Sequence, residues 1–550
     1  MNKILLVVLM SVVSFSWLYG QEDYKTLDEI ADHLRDLGEM QPDFVTLESL
    51  TKSPGDNDIW LLRVGTGDEE LKPGFLLLAS VDGTHPAGTH TVLGITEKIL
   101  REEGSEGTRL MDRFYFYVVP VLNPDAYEQY HADLQFERTV NARETDIDRD
   151  GRISEDPYND LDGDGKITFV RIEDPTGDYI SHREDDRVMI PFEERPADGT
   201  IYRMISEGID NDKDGQFNED GPGGVNLNMN FSFDYPAFQP GAGEHAVSEE
   251  ENRMLAEFLF ERWNIYAVFT FAKENNLSHP VSFDRQKVSQ RVITGPLERD
   301  AEIAARISKL FKEQIQTGDA PVMQQGPGSF SSWAYFHYCR FSFVNPGWWA
   351  PKVDIDSGDG EGENDKPNKS DENYDLRFIQ WAESEGIEDF FVPWTAYDHP
   401  DFPGRQAEVG GFKPFVRYNP PPDYLEEVVE QQFQFLSAFS SKMPRLEIQD
   451  VRVDALENRV FRVRGKVVNT GQLPTSTSLG DRTRWVRDIR ARILLEDDQE
   501  LMVGHYRDFH KSLMPGEYFE FSWLISGRGS VVIEAAHPMT LDDAVNLELR

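Results

Sequence analysis

Cysteine is almost missing: 550 residues contain one, Cys339. That excludes an intramolecular disulfide and a lipid-modified cysteine near the N-terminus. A lone cysteine of this kind usually serves as a small buried hydrophobe, and Cys339 is assigned no role. Basic residues are scarce as well, 55 against 99 acidic ones, which leaves a net charge of −44. Nucleic acid needs a basic footprint, so it is excluded as a partner. An acidic surface favours solubility, and carboxylates suit calcium. Long apolar runs are absent beyond residues 1–20, so no transmembrane segment is expected in the mature chain. Those first residues, MNKILLVVLMSVVSFSWLYG, carry a lysine, an apolar stretch and a small residue before Gln21. They read as a secretory signal peptide, which implies a secreted or periplasmic protein.

What is present is an α/β pattern. Residues 24–48 carry a helical repeat through Leu27, Ile30, Ala31, Leu34 and Leu37. Ile59–Val64, Phe75–Val81 and Phe114–Val121 are apolar runs of strand length. The second feeds LLLASVDGTHPAGT, a polar turn followed by a helical pattern from about Thr89 through Leu93, Ile95 and Leu100. A strand entering a helix through such a turn is where α/β proteins place their chemistry. The turn holds Asp82 and His85, three residues apart, and either side chain can bind a metal.

This stretch resembles the first metal motif of the M14 zinc carboxypeptidases, in which an apolar strand, His-x-x-Glu, Gly and a helix follow in that order. Aligned on Gly88-Thr89, the family His falls on Asp82 and the family Glu on His85. Further matches extend over roughly residues 24–440. Asn123-Pro124-Asp125-Ala126 resembles the family's Asn-Pro-Asp-Gly turn, and Ser248-Glu249-x-Glu251-x-Arg253 resembles a helix opening of the family. Leu227-Asn228-Met229-Asn230-Phe231 resembles Leu-Asn-Arg-Asn-Phe, whose Asn and Arg hold the substrate carboxylate. Asn228 keeps the Asn, and Met229 replaces the Arg. Arg138 or Arg143 aligns with a further substrate-binding Arg. The run Ile265–Phe271 corresponds to the strand that delivers the third zinc ligand, and that position is Ala272. Counting from Trp333, the family's general-base Glu falls on Pro346. His399-Pro400 and Glu408-Val409-Gly410-Gly411 resemble elements of large bacterial members. The resemblance implies a carboxypeptidase-like mixed sheet flanked by helices, with zinc as the family cofactor.

Residues 141–224 interrupt this pattern with an acidic insert. Asp146, Asp148, Asp150-Gly151, then Asp160, Asp162, Asp164-Gly165, then Asp210, Asp212, Asp214-Gly215 share one spacing. Oxygen ligands at positions 1, 3 and 5 followed by glycine begin a calcium loop. Ile153, Ile167 and Phe217 recur two residues after each glycine, but no Glu stands at position 12. Structural calcium is expected, in place of a core that the insert's weak periodicity does not build.

Residues 353–374 are rich in Asp, Gly, Glu, Asn and Ser and read as a loop; Leu425–Phe439 reads as a closing helix. From about Pro444 the pattern changes to alternating strands, Leu446–Val453, Val460–Val468, Asp488–Leu495 and Tyr518–Leu524. This predicts a C-terminal antiparallel β-sandwich over 444–550, following a signal peptide over 1–20 and a carboxypeptidase-like domain over 21–443. A packing domain that props the first is favoured over an independent binding module.

A zinc carboxypeptidase needs three protein ligands and an open position, a carboxylate beside the bound water, and a cation for the substrate carboxylate. The corresponding positions here hold Asp82, His85, Ala272, Pro346 and Met229. The leading expectation is therefore a non-catalytic pseudoenzyme that binds a peptide, a peptidoglycan stem or a partner protein. A second reading is an active metallopeptidase using Asp82, His85 and His90 as ligands and Glu408 as base. A third is a calcium-stabilised cell-surface interaction module acting through the β-sandwich.

Overall fold

A computed structural model describes residues 24–102, 109–145, 157–192, 196, 198–211, 213, 215–218, 223–323, 325–353 and 373–550. The 1–20 segment and most of the acidic loop over 353–374 lie outside these residues. Among the described residues, no helix is long and apolar enough to cross a membrane.

The first sheet has six strands, in the spatial order Val45–Lys52, Asp58–Val64, Tyr115–Val119, Gly74–Ala79, Ile265–Phe271 and Phe341–Asn345. The last four run parallel, and the first two form an antiparallel hairpin on one edge. The strand Gly74–Ala79 is buried on both faces, as central parallel strands are. Phe75 and Leu77 pack into one core with the helices Leu27–Met40, Pro86–Arg101 and Leu425–Ser440. Leu76 and Leu78 point the other way, against the helices Glu250–Glu261 and Phe330–Phe336. The two-residue period of a strand thus divides one apolar run between two layers. This is the expected mixed α/β sheet flanked by helices.

The helix over the metal-motif turn starts at Pro86, earlier than the periodicity placed it. Proline is suited to a first helical turn because its missing N–H has no partner there anyway. The cap comes from a distance: Asn419 Oδ1 accepts from Ala87 N at 3.0 Å, and its amide donates to the Thr84 and Phe415 carbonyls. No local pattern reveals a cap 332 residues away.

The insert is better ordered than its weak periodicity suggested. Phe169–Glu173, Tyr179–Ser181, Met189–Pro191 and Tyr202–Ser206 join Phe391–Tyr397 and Ala407–Phe412 in a six-stranded antiparallel sheet. Val170, Ile172, Ala407 and Val409 form its small core. The insert therefore borrows two strands from far along the chain and has a small core, which its weak periodicity did not announce.

Residues 446–549 form two four-stranded antiparallel sheets. Val463, Phe521 and Trp523 of one sheet face Ile489, Ile493 and Ile533 of the other across a shared core. Four strands that the alternation missed, Glu500–Val503, Arg507–His510, Gly529–Ala536 and Asp543–Leu549, complete the sandwich. It is fastened to the first sheet's body. Asp300 accepts from the Ser478 and Leu479 amides, Tyr266 donates to the Pro474 carbonyl, and Thr477 donates to the Cys339 carbonyl. Cys339 is free and buried, as expected of a small hydrophobe.

Candidate functional site

Four parallel strands release their carboxyl ends on one side of the first sheet, so the segments that follow them are neighbours. Ala79 lies beside Phe271, and Phe271 beside Asn345. The turn with Asp82 and His85, the segment Ala272-Lys273-Glu274, and Pro346 therefore lie at neighbouring strand ends.

The turn is held tightly. Ser80 takes a left-handed φ of 47° and shares its hydroxyl with Thr89 at 2.8 Å, while Thr89 also donates to the Pro120 carbonyl. Gly83 has a φ of 76°, and a Cβ there would lie 2.3 Å from that of Ala126. Only glycine fits. Asp82 Oδ1 accepts from the Thr84 amide and hydroxyl, at 3.1 and 3.2 Å, the local bond of an Asx turn. His85 is fully buried, and neither ring nitrogen makes a hydrogen bond of good geometry. Burial and the nearby positive charge of Lys273 push its pKa down to about 4, against the pull of Asp82 and two carbonyls. At neutral pH it is a neutral imidazole.

Lys273 follows the third-ligand position and is tied to Glu137 at 2.8 Å, with its ammonium 5.4 Å from the Tyr418 ring centre. Burial raises the Glu137 carboxyl's pKa; Lys273, Arg417 and the Phe415 amide outweigh it and hold the group below its usual range. The sequence reading passed over Glu137 because only the fold brings it 136 residues back to Lys273. Glu274, also passed over, accepts from Asn228 Nδ2 at 3.1 Å and from the Ser331 hydroxyl at 3.0 Å. Burial, then the charge of Asp82, push it up to about 7. Asn228 in turn accepts from the Phe330 amide at 3.0 Å. A cavity of about 310 Å³, lined in part by Gln325, Ser331, Ser332 and Tyr335, opens beside this group.

The remaining expected residues are placed as follows. Arg138 is turned inward, donating to the Val140 and Asn141 carbonyls, and Arg143 pairs with Glu249 and Glu244. Glu408 lies in the second sheet, paired with Arg171 at 2.7 Å beneath Trp394. His90 faces the Glu97 and His33 side of its helix. Among the described residues neither joins Asp82 and His85 in a group of three metal-binding donors. Trp333, Trp348 and Trp349 are buried.

The described residues contain one such donor group, in the insert. Oxygens of Asp160, Asp162 and Glu207 lie within 4.8 Å of one another. Asp160 accepts from the amides of Gly163 and Gly165, and Asp210 repeats the second bond with Gly215. Both loop glycines have positive φ, 82° and 94°, so the repeated spacing does produce a repeated turn. Asp164 accepts from the Lys166 amide and stands outside the group. Glu207, unexpected from sequence, is buried and bonded to the amides of Leu161 and Thr168. Asp146, Asp148, Asp150, Asp212 and Asp214 lie outside the described residues.

Residues 30–171 match the zinc carboxypeptidase family model. Over this quarter of its length the chain is similar to the M14 zinc carboxypeptidases. Carboxypeptidase D of Rattus norvegicus is 31% identical over 140 residues, 24% of this chain and 10% of that protein. The Homo sapiens protein is 30% identical over the same shares. The chain thus spans about a tenth of the length of the curated relatives it matches. Among solved structures, carboxypeptidase A from Helicoverpa armigera has a TM-score of 0.42 at 13% identity, covering 76% of this chain and 74% of that one. Thrombin activatable fibrinolysis inhibitor has a TM-score of 0.41 at 13% identity, with the same coverage. Residues 445–547 match a domain of unknown function (DUF8731).

The residues at the positions aligned with the M14 zinc ligands do not fit a zinc ion. Such a site takes three protein ligands. Here Asp82 is bonded within its own turn, Ala272 has no donor atom, and the next residue brings a cation.

Proposed function

We propose that this protein is an exported, non-catalytic M14-fold binder that holds a peptide, a peptidoglycan stem or a partner protein's chain end at the strand-end cleft. The observation that carries this reading is the Lys273–Glu137 ion pair, 2.8 Å, immediately after the position of the family's third ligand. An ammonium held there supplies positive charge without a metal and opposes a dication. Ala272, Pro346 and Met229 remove ligand, base and clamp together. What remains is suited to binding: Ser331 lines a cavity with Gln325, Ser332 and Tyr335, and behind it Glu274 and Asn228 hold a polar network next to the Lys273 cation. The signal-like residues 1–20 support export. Zinc analysis of the purified protein after zinc loading, with a panel of peptides assayed for C-terminal cleavage, tests the reading. The expected result is far less than one zinc per chain and no cleavage; one tightly held zinc with turnover overturns it.

One observation favours a second reading, a metallopeptidase with relocated ligands. Neither ring nitrogen of buried His85 makes a hydrogen bond of good geometry, which suits a ligand awaiting its ion. The same analysis on His85→Phe separates the two, since only this reading predicts zinc that the substitution removes. For the insert, calcium is the proposed structural ion, held by Asp160, Asp162 and Glu207, because a carboxylate set of this kind suits a hard cation.

A further inference from the structure

A cleft of about 790 Å³ lies where the β-sandwich meets the first body, on the far side of the chain's function-bearing turn. Its lining inverts the character of the molecule. In a chain of net charge −44, Arg484, Arg487, Arg490, Arg507 and Lys511 converge on this one space. Among the described residues none of the five has an ion pair, and the Nε of Arg490 is buried without a partner. Four carboxylates also line the cleft, those of Glu70, Asp481, Asp488 and Asp542, and burial pushes Asp542 up to about 7, so its charge is partial near neutrality.

The arrangement is ordered by the sheet. Arg490 pairs directly with Phe509 across neighbouring strands, so the two side chains share a face. Arg507, Phe509 and Lys511 alternate along the edge strand and its continuation, which puts the two cations roughly 13 Å apart with the ring between them. Phe509 is 62% exposed and Leu71, on the opposite wall, 70% exposed. Charged residues on an edge strand also discourage sheet-to-sheet pairing. That role does not call for Arg484 and Arg487, which come from a separate loop and face the same space.

We propose that this cleft binds a short acidic oligosaccharide carrying carboxylate or sulfate groups. Guanidinium forks match planar oxyanions, and an exposed aromatic ring set between cations matches the apolar face of a sugar between charged substituents. The volume suits two or three sugar rings and is too small for a folded partner. The acidity of the rest of the chain disfavours a long polyanion such as nucleic acid.

Calorimetric titration of the full mature chain tests the proposal, with trigalacturonate and a sulfated heparin disaccharide as the two charged probes. Neutral maltotriose, hexathymidylate and hexaglutamate are the comparisons. Saturable binding of at least one charged sugar is expected, weakened about tenfold by Arg490→Gln or Arg507→Gln. Phe509→Ala should weaken it several-fold without changing its salt dependence. Which sugar binds more tightly assigns carboxylate or sulfate. Failure of both charged sugars to bind at millimolar concentration overturns the proposal, as does equal binding of maltotriose. Hexathymidylate binding as tightly with the same need for Phe509, or hexaglutamate binding as tightly without it, also overturns it. Unchanged circular dichroism of the variants excludes unfolding as the cause of any loss.

Discussion

Lys273 and Glu274 differ by one position and face opposite tasks. Lys273 answers Glu137, while Glu274 stands near Asp82 with only neutral donors on its oxygens. A buried carboxyl raised to about 7 is favoured in its protonated form in the folded state. The stability it contributes is fully present below the ordinary Glu pKa and is lost as pH rises through about 7. Glu274→Gln keeps the shape and removes the charge. It should stabilise the fold at pH 8 by on the order of 1 kcal/mol relative to its effect at pH 4.5. Chemical denaturation of both proteins at both pH values checks the sign; an equal effect at each would mean that Glu274 is solvated. The Lys273 prediction uses repair. If the backbone of the site is retained, Asp82→His, His85→Glu and Ala272→His rebuild three ligands at strand ends and a helix start. Zinc affinity should be modest while the ammonium stays and should rise at least about tenfold when Lys273→Ala is added. Zinc titration of the triple and quadruple variants measures this, and no uptake by either folded variant would refute the alignment. Much of this site was legible residue by residue, because strand, turn and helix follow one another locally. Glu137, Glu274's partners and the Asn419 cap were not, because each depends on a contact between segments far apart in sequence.

At the scale of elements, the insert shows what a repeat of spacing can and cannot announce. Alternate aspartates followed by glycine specified the loop turns, and the same aspartate–glycine bond forms in two of them. The pattern stopped short of Glu207, which closes the donor group from outside the loop. It also stopped short of the sheet, whose strands are three to seven residues long and complete only when Phe391–Tyr397 and Ala407–Phe412 pair with them. Short strands carry little periodicity, so their existence was decided by long-range pairing. If calcium joins Asp160, Asp162 and Glu207, it links the loop to the end of the Tyr202–Ser206 strand. An ion bound only by the folded form stabilises it by about 2.7 kcal/mol at a hundred times its dissociation constant. Chelation should therefore lower the thermal midpoint by a few degrees. Asp162→Asn, which disturbs one local turn bond, should abolish most of that sensitivity while leaving the chelated protein nearly unchanged. A midpoint insensitive to chelator, with the protein shown by elemental analysis to be calcium-free, would refute the site.

At the scale of the whole molecule, the β-sandwich is joined to the body of the first sheet by buried polar contacts. Asp300, 3% exposed, accepts from the amides of Ser478 and Leu479 and from the Tyr335 hydroxyl. Arg340, 2% exposed, donates to the carbonyls of Tyr338 and Trp485. Leu473 and Met539 extend the principal core of the first sheet. Deleting residues 444–550 would strip these partners at once. Asp300 would keep Tyr335 alone, and part of the core face would meet water. Each buried polar group left without a partner costs about 1–3 kcal/mol, a large fraction of the net stability of a typical domain. The truncated protein should therefore unfold several degrees lower, or aggregate, and should be cut by protease at sites silent in the full chain. Asp300→Ala in the full chain should show a smaller shift in the same direction, because it breaks the same hydrogen bonds, leaving the Ser478 and Leu479 amides without their acceptor, while the core stays covered. Thermal denaturation and limited proteolysis of the three proteins decide the matter. A truncated chain that melts within about 2 °C of the full one would show that the contacts are not coupled to the stability of the first body. The sandwich would then be an autonomous module, and its cationic cleft, which draws Trp263, Glu70 and Leu71 from the other body, would have to bind without that wall.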